Sequence, residues 1–195
     1  MADPATKDGG VRHQLILGGQ KSGKSRRAEL LAREWLDADP GHQAVLIATA
    51  EPWDDEMRQR IARHQADRAV RVPGMRTVEA PRELAAAIRA ASTAQTLVVV
   101  DCLTLWLTNW LMPAEGTAQE QATQAAIEDL LAALRQAPGP VILVSNEISL
   151  GVIPLGREVR AFVDAQGLLN QQVAAVCGRV TLMAAGCALT LKGDA

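Results

Sequence analysis

The chain has 195 residues, 48% hydrophobic and 22% charged, which is enough for one full core and too little for two. A formal net charge of -2 lacks the basic excess that neutralising a nucleic-acid backbone requires, which argues against nucleic acid as a partner. Cys102, Cys177 and Cys187 form no CxxC pair and no cluster with ligand spacing, a pattern that suits a reducing cytoplasm and disfavours a zinc site.

Residues Met1 to Arg12 are small and charged and read as a disordered leader without an export signal, followed by one domain over 13–195. Apolar runs then alternate with amphipathic stretches, the pattern of a parallel sheet with crossover helices. The expected strands are Gln14 to Leu17, Ala44 to Ala48, Leu97 to Asp101 and Val141 to Ser145, each apolar on both faces. Arg76 to Glu79 is an edge strand. Val180 to Met183 and Ala188 to Leu191 form a closing hairpin that turns at Ala185-Gly186. Helices are expected at Lys24 to Asp37, Asp54 to Asp67, Arg82 to Ala91, Thr117 to Gln136 and Arg157 to Val176, with Pro81 at a helix start and a loop at Pro113 to Thr117. The apolar stretch Leu103 to Met112 is broken by Thr104, Thr108 and Asn109 and falls short of the roughly 20 residues that span a bilayer.

Gly18-Gly19-Gln20-Lys21-Ser22-Gly23-Lys24-Ser25 matches GxxxxGK[ST] between an apolar strand and an amphipathic helix, the context that makes it a phosphate-binding loop. Glycines let consecutive N–H groups converge on phosphate oxygens, and the helix N-terminus adds positive potential. Lys24 is placed to bridge the terminal phosphates and Ser25 to ligate magnesium. Asp101, at the C-terminal end of the LVVVD strand, is a second magnesium candidate in a Walker-B-like position.

In DDEMRQRIARHQADR, four-residue spacing puts Arg60, His64 and Arg68 on one helix face and turns Met57 and Ile61 elsewhere. An imidazole between two guanidiniums is a nucleophile whose neighbours hold phosphate oxygens, with Asp67 near enough to fix its tautomer. The same spacing also describes a solvated helix laced by pairs such as Glu56 with Arg60. His13, at a strand start, and His42, in a turn, are expected at the solvent surface. Ser145-Asn146-Glu147 follows a buried strand and faces the crevice over the strand ends. Trp106 and Trp110, four apart on an apolar helix, read as packing residues or as the wall of a flat-ligand or subunit contact.

Taken together, GGQKSGKS, IATAEPWDDEMRQRIARHQADR, VDCLTLWLTN, VSNEISLGVIP and LLNQQVAAVCGRVTLMAAG resemble the bifunctional adenosylcobinamide kinases and adenosylcobinamide-phosphate guanylyltransferases of cobalamin synthesis. The resemblance covers nearly the whole chain. It implies a RecA-like α/β fold of the P-loop NTPase class: a mostly parallel sheet flanked by helices, with a C-terminal antiparallel hairpin, assembled as a homotrimer. It also implies two reactions, phosphorylation of adenosylcobinamide and transfer of GMP from GTP through a guanylylated His64, with Mg2+ as cofactor and GTP and ATP as substrates. Carried over by position, Gly18 to Ser25, Ala48-Thr49-Ala50, and Gln65, Ala66, Asp67 and Arg68 contact GTP, as do Glu79, Arg82 and Asp101. Relatives often have Ser where Ala50 stands, some have a second His where Arg63 stands, and some have Glu where Asp101 stands.

Two other readings use the same residues. An ordinary P-loop kinase of a small metabolite phosphorylates its substrate without any covalent nucleotide. A GTP-gated regulatory protein changes partners without useful turnover.

Overall fold

A computed structural model describes residues 13–113 and 120–193. The leader over 1–12, most of the 113–117 loop and the expected start of the helix at Thr117 lie outside the described residues. The elements in chain order are β1 (Gln14–Gly18), α1 (Lys24–Ala38), β2 (Gln43–Ala48), α2 (Asp55–Arg71), β3 (Arg76–Glu79), α3 (Leu84–Ala91) and β4 (Thr96–Asp101). They continue with α4 (Leu103–Leu111), α5 (Glu120–Gln136), β5 (Val141–Val144), α6 (Arg157–Val176), β6 (Arg179–Ala184) and β7 (Cys187–Lys192).

The seven strands form one sheet in the order β3-β2-β4-β5-β1-β6-β7. Every pairing is parallel except the closing β6-β7 hairpin. This is the P-loop NTPase arrangement, with Arg76–Glu79 at the sheet edge as its short, polar sequence requires. The pleat sends alternate residues to opposite faces. Leu15, Val45, Val98 and Leu143 pack with α3, α4, α5 and α6, whereas Ile16, Leu46, Val99 and Ile142 pack with α1. Fully buried leucines such as Leu130 and Leu134 contribute about 1.5–3 kcal/mol each to this core. Among the described residues no helix is long and apolar enough to cross a membrane.

Two helix boundaries and two histidines depart from expectation. Pro81 is not the first residue of a helix, because α3 starts at Leu84. The carbonyl of Pro81 accepts from Asn109 Nδ2 at 2.8 Å and that of Arg82 from Trp106 Nε1 at 2.9 Å, so both residues are pinned to α4. The second helix runs four residues beyond Asp67, because Arg68 and Arg71 find partners on neighbouring elements.

His13 and His42 are not at the solvent surface. His13 is buried: its Nε2–H donates to Leu134 O at 2.8 Å, while its Nδ1 accepts from Val141 N at 3.2 Å. His42 is half-buried, stacked on Trp35 at 3.7 Å between ring centroids, with Nδ1 against Trp35 O at 2.8 Å.

Candidate active site

The crevice is set by strand order. β1 carries the phosphate loop on its C-terminal end, β5 lies beside it, and β4 lies beyond with Asp101 at its end. Residues that follow β5 therefore fall between the loop and the carboxylate. Glu147 N donates to Gly18 O at 3.1 Å, which holds this connection against the loop.

The loop is shaped by its glycines. Gly18 has φ of 152°, and a Cβ there would meet Met183 O at 2.4 Å, so no larger residue fits without moving backbone. Gly23 precedes α1 with φ of 100°. Lys21 also takes a positive φ, 56°. The hairpin closes over the loop from the other side, where Gly186 N donates to Ser22 O at 3.1 Å. The Ser22 hydroxyl is buried without a hydrogen-bond partner among the described residues.

Lys24 is 8% exposed, and its ammonium donates to Gly19 O at 2.7 Å. Burial pushes its pKa below the ordinary lysine value. Cys102 and Asp101 work against that shift, and the charge of Arg60 adds to it. A desolvated cation with another cation in reach is a site built for a polyanion, and a triphosphate fits it. Ser25 and Asp101 are half-buried, and their side-chain oxygens make no hydrogen bond among the described residues. A hydroxyl and a carboxylate at this edge are the hard oxygen donors that magnesium takes.

Behind Asp101 the backbone is tied down. The Asp101-Cys102 peptide is cis. Thr49 is fully buried: its Oγ1 accepts from Cys102 N at 2.9 Å and donates to Cys102 O at 2.7 Å. Thr49 O accepts from Asn109 Nδ2 at 2.8 Å. Within the tripeptide Ala48-Thr49-Ala50, then, the only hydroxyl is engaged in joining the ends of β2 and β4. Burial, with Asp101 adding to it, raises the Cys102 thiol to about 12, so it stays protonated and is no nucleophile.

The α2 helix is capped by Asp54, whose side chain accepts from Met57 N at 2.7 Å. Met57 and Ile61 are half-buried, Arg68 is buried, and His64 and Arg60 are exposed. Arg68 Nη2 reaches Thr77 Oγ1 on β3 at 3.4 Å. Arg60 stands in electrostatic reach of Lys24, and His64 shares its face at four-residue spacing. Asp67 does not serve the imidazole: its carboxylate pairs with Arg71 at 3.2 Å. The Glu56 to Arg60 pair is not among the ion pairs of the described residues, where α2 carries Arg58 with Asp55 instead.

The remaining candidates lie toward the sheet edge. Glu79 ends β3 and is exposed, and the half-buried Arg82 places its guanidinium 5.5 Å from the centroid of Trp110. With Glu51, Ala80 and Pro81 they line a cavity of about 460 Å³. Trp106 is 1% exposed, a packing residue. Ser145 is buried in a network in which Gln166 Nε2 donates to its Oγ at 2.9 Å and Ser145 donates to Asn170 Oδ1 at 2.7 Å. Glu147 accepts from Ser149 N at 2.8 Å and from the Ser149 hydroxyl.

Sequence reasoning missed Glu29, Arg71 and Asn109. Glu29 left one readable sign, an acid on the buried stripe of α1 that also holds Ala28 and Ala32.

Residues 14–191 match the family described as cobinamide kinase / cobinamide phosphate guanyltransferase. The bifunctional adenosylcobalamin biosynthesis protein CobP of Pseudomonas aeruginosa is 47% identical over 180 residues, covering 92% of this chain and 97% of that protein. The bifunctional adenosylcobalamin biosynthesis proteins CobU of Escherichia coli and Salmonella typhimurium are 36% and 34% identical, each over 91% of this chain and 98% of theirs.

Proposed function

Since the chain belongs to the cobinamide kinase / cobinamide phosphate guanyltransferase family, we propose that it phosphorylates adenosylcobinamide and then transfers GMP from GTP to the product through a guanylylated His64. In the first transfer the corrinoid side-chain hydroxyl attacks the γ-phosphorus of a nucleoside triphosphate. A phosphate ester forms, the β–γ bridge breaks, and the nucleoside diphosphate and the hydroxyl proton leave. In the second, a ring nitrogen of His64 attacks the α-phosphorus of GTP, forming a P–N bond and releasing pyrophosphate. An oxygen of adenosylcobinamide phosphate then displaces the imidazole, giving adenosylcobinamide-GDP and free His64.

The observation that carries this reading is the face of α2. Arg60 stands in electrostatic reach of the phosphate-loop lysine, Arg68 is anchored at Thr77, and His64 lies between them. Lys24 and the N–H groups of Gly18 to Ser25 hold the phosphates, while Ala48, Thr49 and Ala50, the segment Gln65 to Arg68, Glu79 and Arg82 surround the rest of the nucleotide. Magnesium, held by Ser25 and Asp101, would neutralise charge on the phosphate oxygens.

Residues 13–195 act as one nucleotide-binding unit in the cytoplasm and assemble as a homotrimer. The assembly is supported by Leu150, Val152, Ile153 and Leu155, which expose 77–97% of their surface in the segment before α6.

Chromatography of corrinoids after incubation with GTP tests the pair of reactions. The phosphate should appear first and the GDP conjugate second. Accumulation of the phosphate with no conjugate would reduce the protein to a kinase.

A further inference from the structure

The α2 helix is poorly held by apolar contact. Of its 17 residues only Arg68 is buried, and Val70 is 80% exposed. What fastens it is polar and gathered at its C-terminal end. Arg71 Nη1 donates to Glu29 Oε2 on α1 at 2.6 Å, Arg71 Nη2 to Asp67 at 3.2 Å, and Arg33 Nη1 to Arg71 O at 3.4 Å. The Glu29 side chain is only 4% exposed, so this carboxylate sits out of water against one guanidinium. Such a pair is costly to break from the Arg71 side, because the buried Glu29 carboxylate is then left uncompensated, whereas Arg71 keeps Asp67 and partial exposure to water.

The pair also has a direction. Helices α1 and α2 both follow strands that run parallel in the sheet, so both start at the edge that carries the phosphate loop. Lys24 lies five residues before Glu29, roughly 8 Å back along α1, and His64 lies seven before Arg71, roughly 10 Å back along α2. Seven residues are nearly two full turns, so His64 and Arg71 share a face. A tilt of about 10° at the clamp would carry the imidazole about 2 Å.

We propose that Glu29 is a positioning residue for guanylyl transfer: through Arg71 it fixes α2 against α1 and so sets where His64 stands relative to the phosphate loop. The inference rests on His64 being the nucleophile. It assigns a role to a carboxylate that touches no substrate, and it predicts damage to one reaction only. Phosphorylation of the corrinoid needs Lys24 and the loop but not the imidazole, whereas nucleophilic attack is sensitive to displacements of about 1 Å.

The test compares wild type, Glu29→Gln, Arg71→Lys and His64→Ala in two assays on the same preparations. One is the single-turnover rate of GMP attachment from GTP; the other is the rate of adenosylcobinamide phosphorylation with ATP and with GTP. Glu29→Gln should slow attachment by about 10- to 100-fold with phosphorylation changed less than about threefold. Arg71→Lys keeps the charge and loses the fork, and should fall between it and wild type. It also serves if Glu29→Gln does not fold. Attachment at the wild-type rate in both variants, or a parallel loss of both activities, would overturn the positioning role. No adduct in wild type, or an adduct that persists in His64→Ala, would instead remove the reading on which it stands.

Discussion

Thr49 and Cys102 close a two-bond ring: the threonine hydroxyl accepts from the Cys102 amide at 2.9 Å and donates to the Cys102 carbonyl at 2.7 Å. Both residues are buried, and the ring joins the ends of β2 and β4 beside Asp101. Thr49→Val keeps the shape and strands the buried Cys102 N–H, while the Cys102 carbonyl keeps Trp106 N at 3.1 Å, so it should cost about 1–3 kcal/mol in urea unfolding. Thr49→Ser keeps the hydroxyl and should cost less than about 1.5 kcal/mol. Equal stability of all three proteins would show that the ring carries no weight.

Gly18→Ala places a methyl 2.4 Å from the carbonyl oxygen of Met183 and 2.6 Å from Ser22 Oγ. The backbone must shift where phosphate is expected to bind. Calorimetric titration with GTP should show affinity reduced at least about tenfold, since the loop no longer aims its N–H groups. Wild-type affinity would contradict the placement of the nucleotide.

Acid should destabilise the fold through His13. Burial lowers its pKa, against the opposing pull of the Leu134 carbonyl. Its Nδ1 must also stay unprotonated to accept from Val141 N. The unfolded chain therefore takes up a proton near pH 6.5 that the folded chain resists. Stability is complete above that value and falls as pH drops through the window down to the lower folded pKa, by up to about 1.4 kcal/mol per pH unit. Urea midpoints between pH 7.5 and 5 measure this, and His13→Gln should flatten the slope.

The thiols should divide by burial. Cys102 and Cys177 are buried and raised to about 12, while Cys187 is exposed on the hairpin. Brief iodoacetamide treatment of folded protein at pH 8 should modify Cys187 alone, read by peptide mapping. Rapid modification of Cys102 would mean that the backbone behind Asp101 opens readily.

The parts of the fold legible in the sequence were those set by local pattern. Strands such as β1 and β5 are buried on both faces, so unbroken runs such as LILG and VILV mark them. The phosphate loop was readable because its glycines and Lys24 act within eight residues. What escaped depends on distant partners. His13 reads as a surface residue until Leu134 and Val141, 121 and 128 positions away, are brought against it. The end of α2 escaped for the same reason: DRAVR has little apolar periodicity, and its arginines are helical because Glu29 and Thr77 receive them. Pro81 looked like a helix start because its φ suits one, but the Asn109 and Trp106 side chains take the carbonyls of residues 81 and 82.

At the candidate site, spacing alone left His64 open to two readings, a nucleophile or a member of a solvated helix. The imidazole is exposed in the structure, as both readings allow. The charge of Arg60 acts on Lys24, which supports the proposed nucleophile, and no local pattern contains that relation.

Mass spectrometry of the intact protein and its peptides after exposure to GTP and magnesium asks whether His64 takes up the nucleotide. One GMP should be found on His64, labile in acid, stable in base and absent from His64→Ala. A protein that converts adenosylcobinamide to its GDP conjugate while carrying no adduct, or whose label survives in His64→Ala, would contradict His64 as the nucleophile.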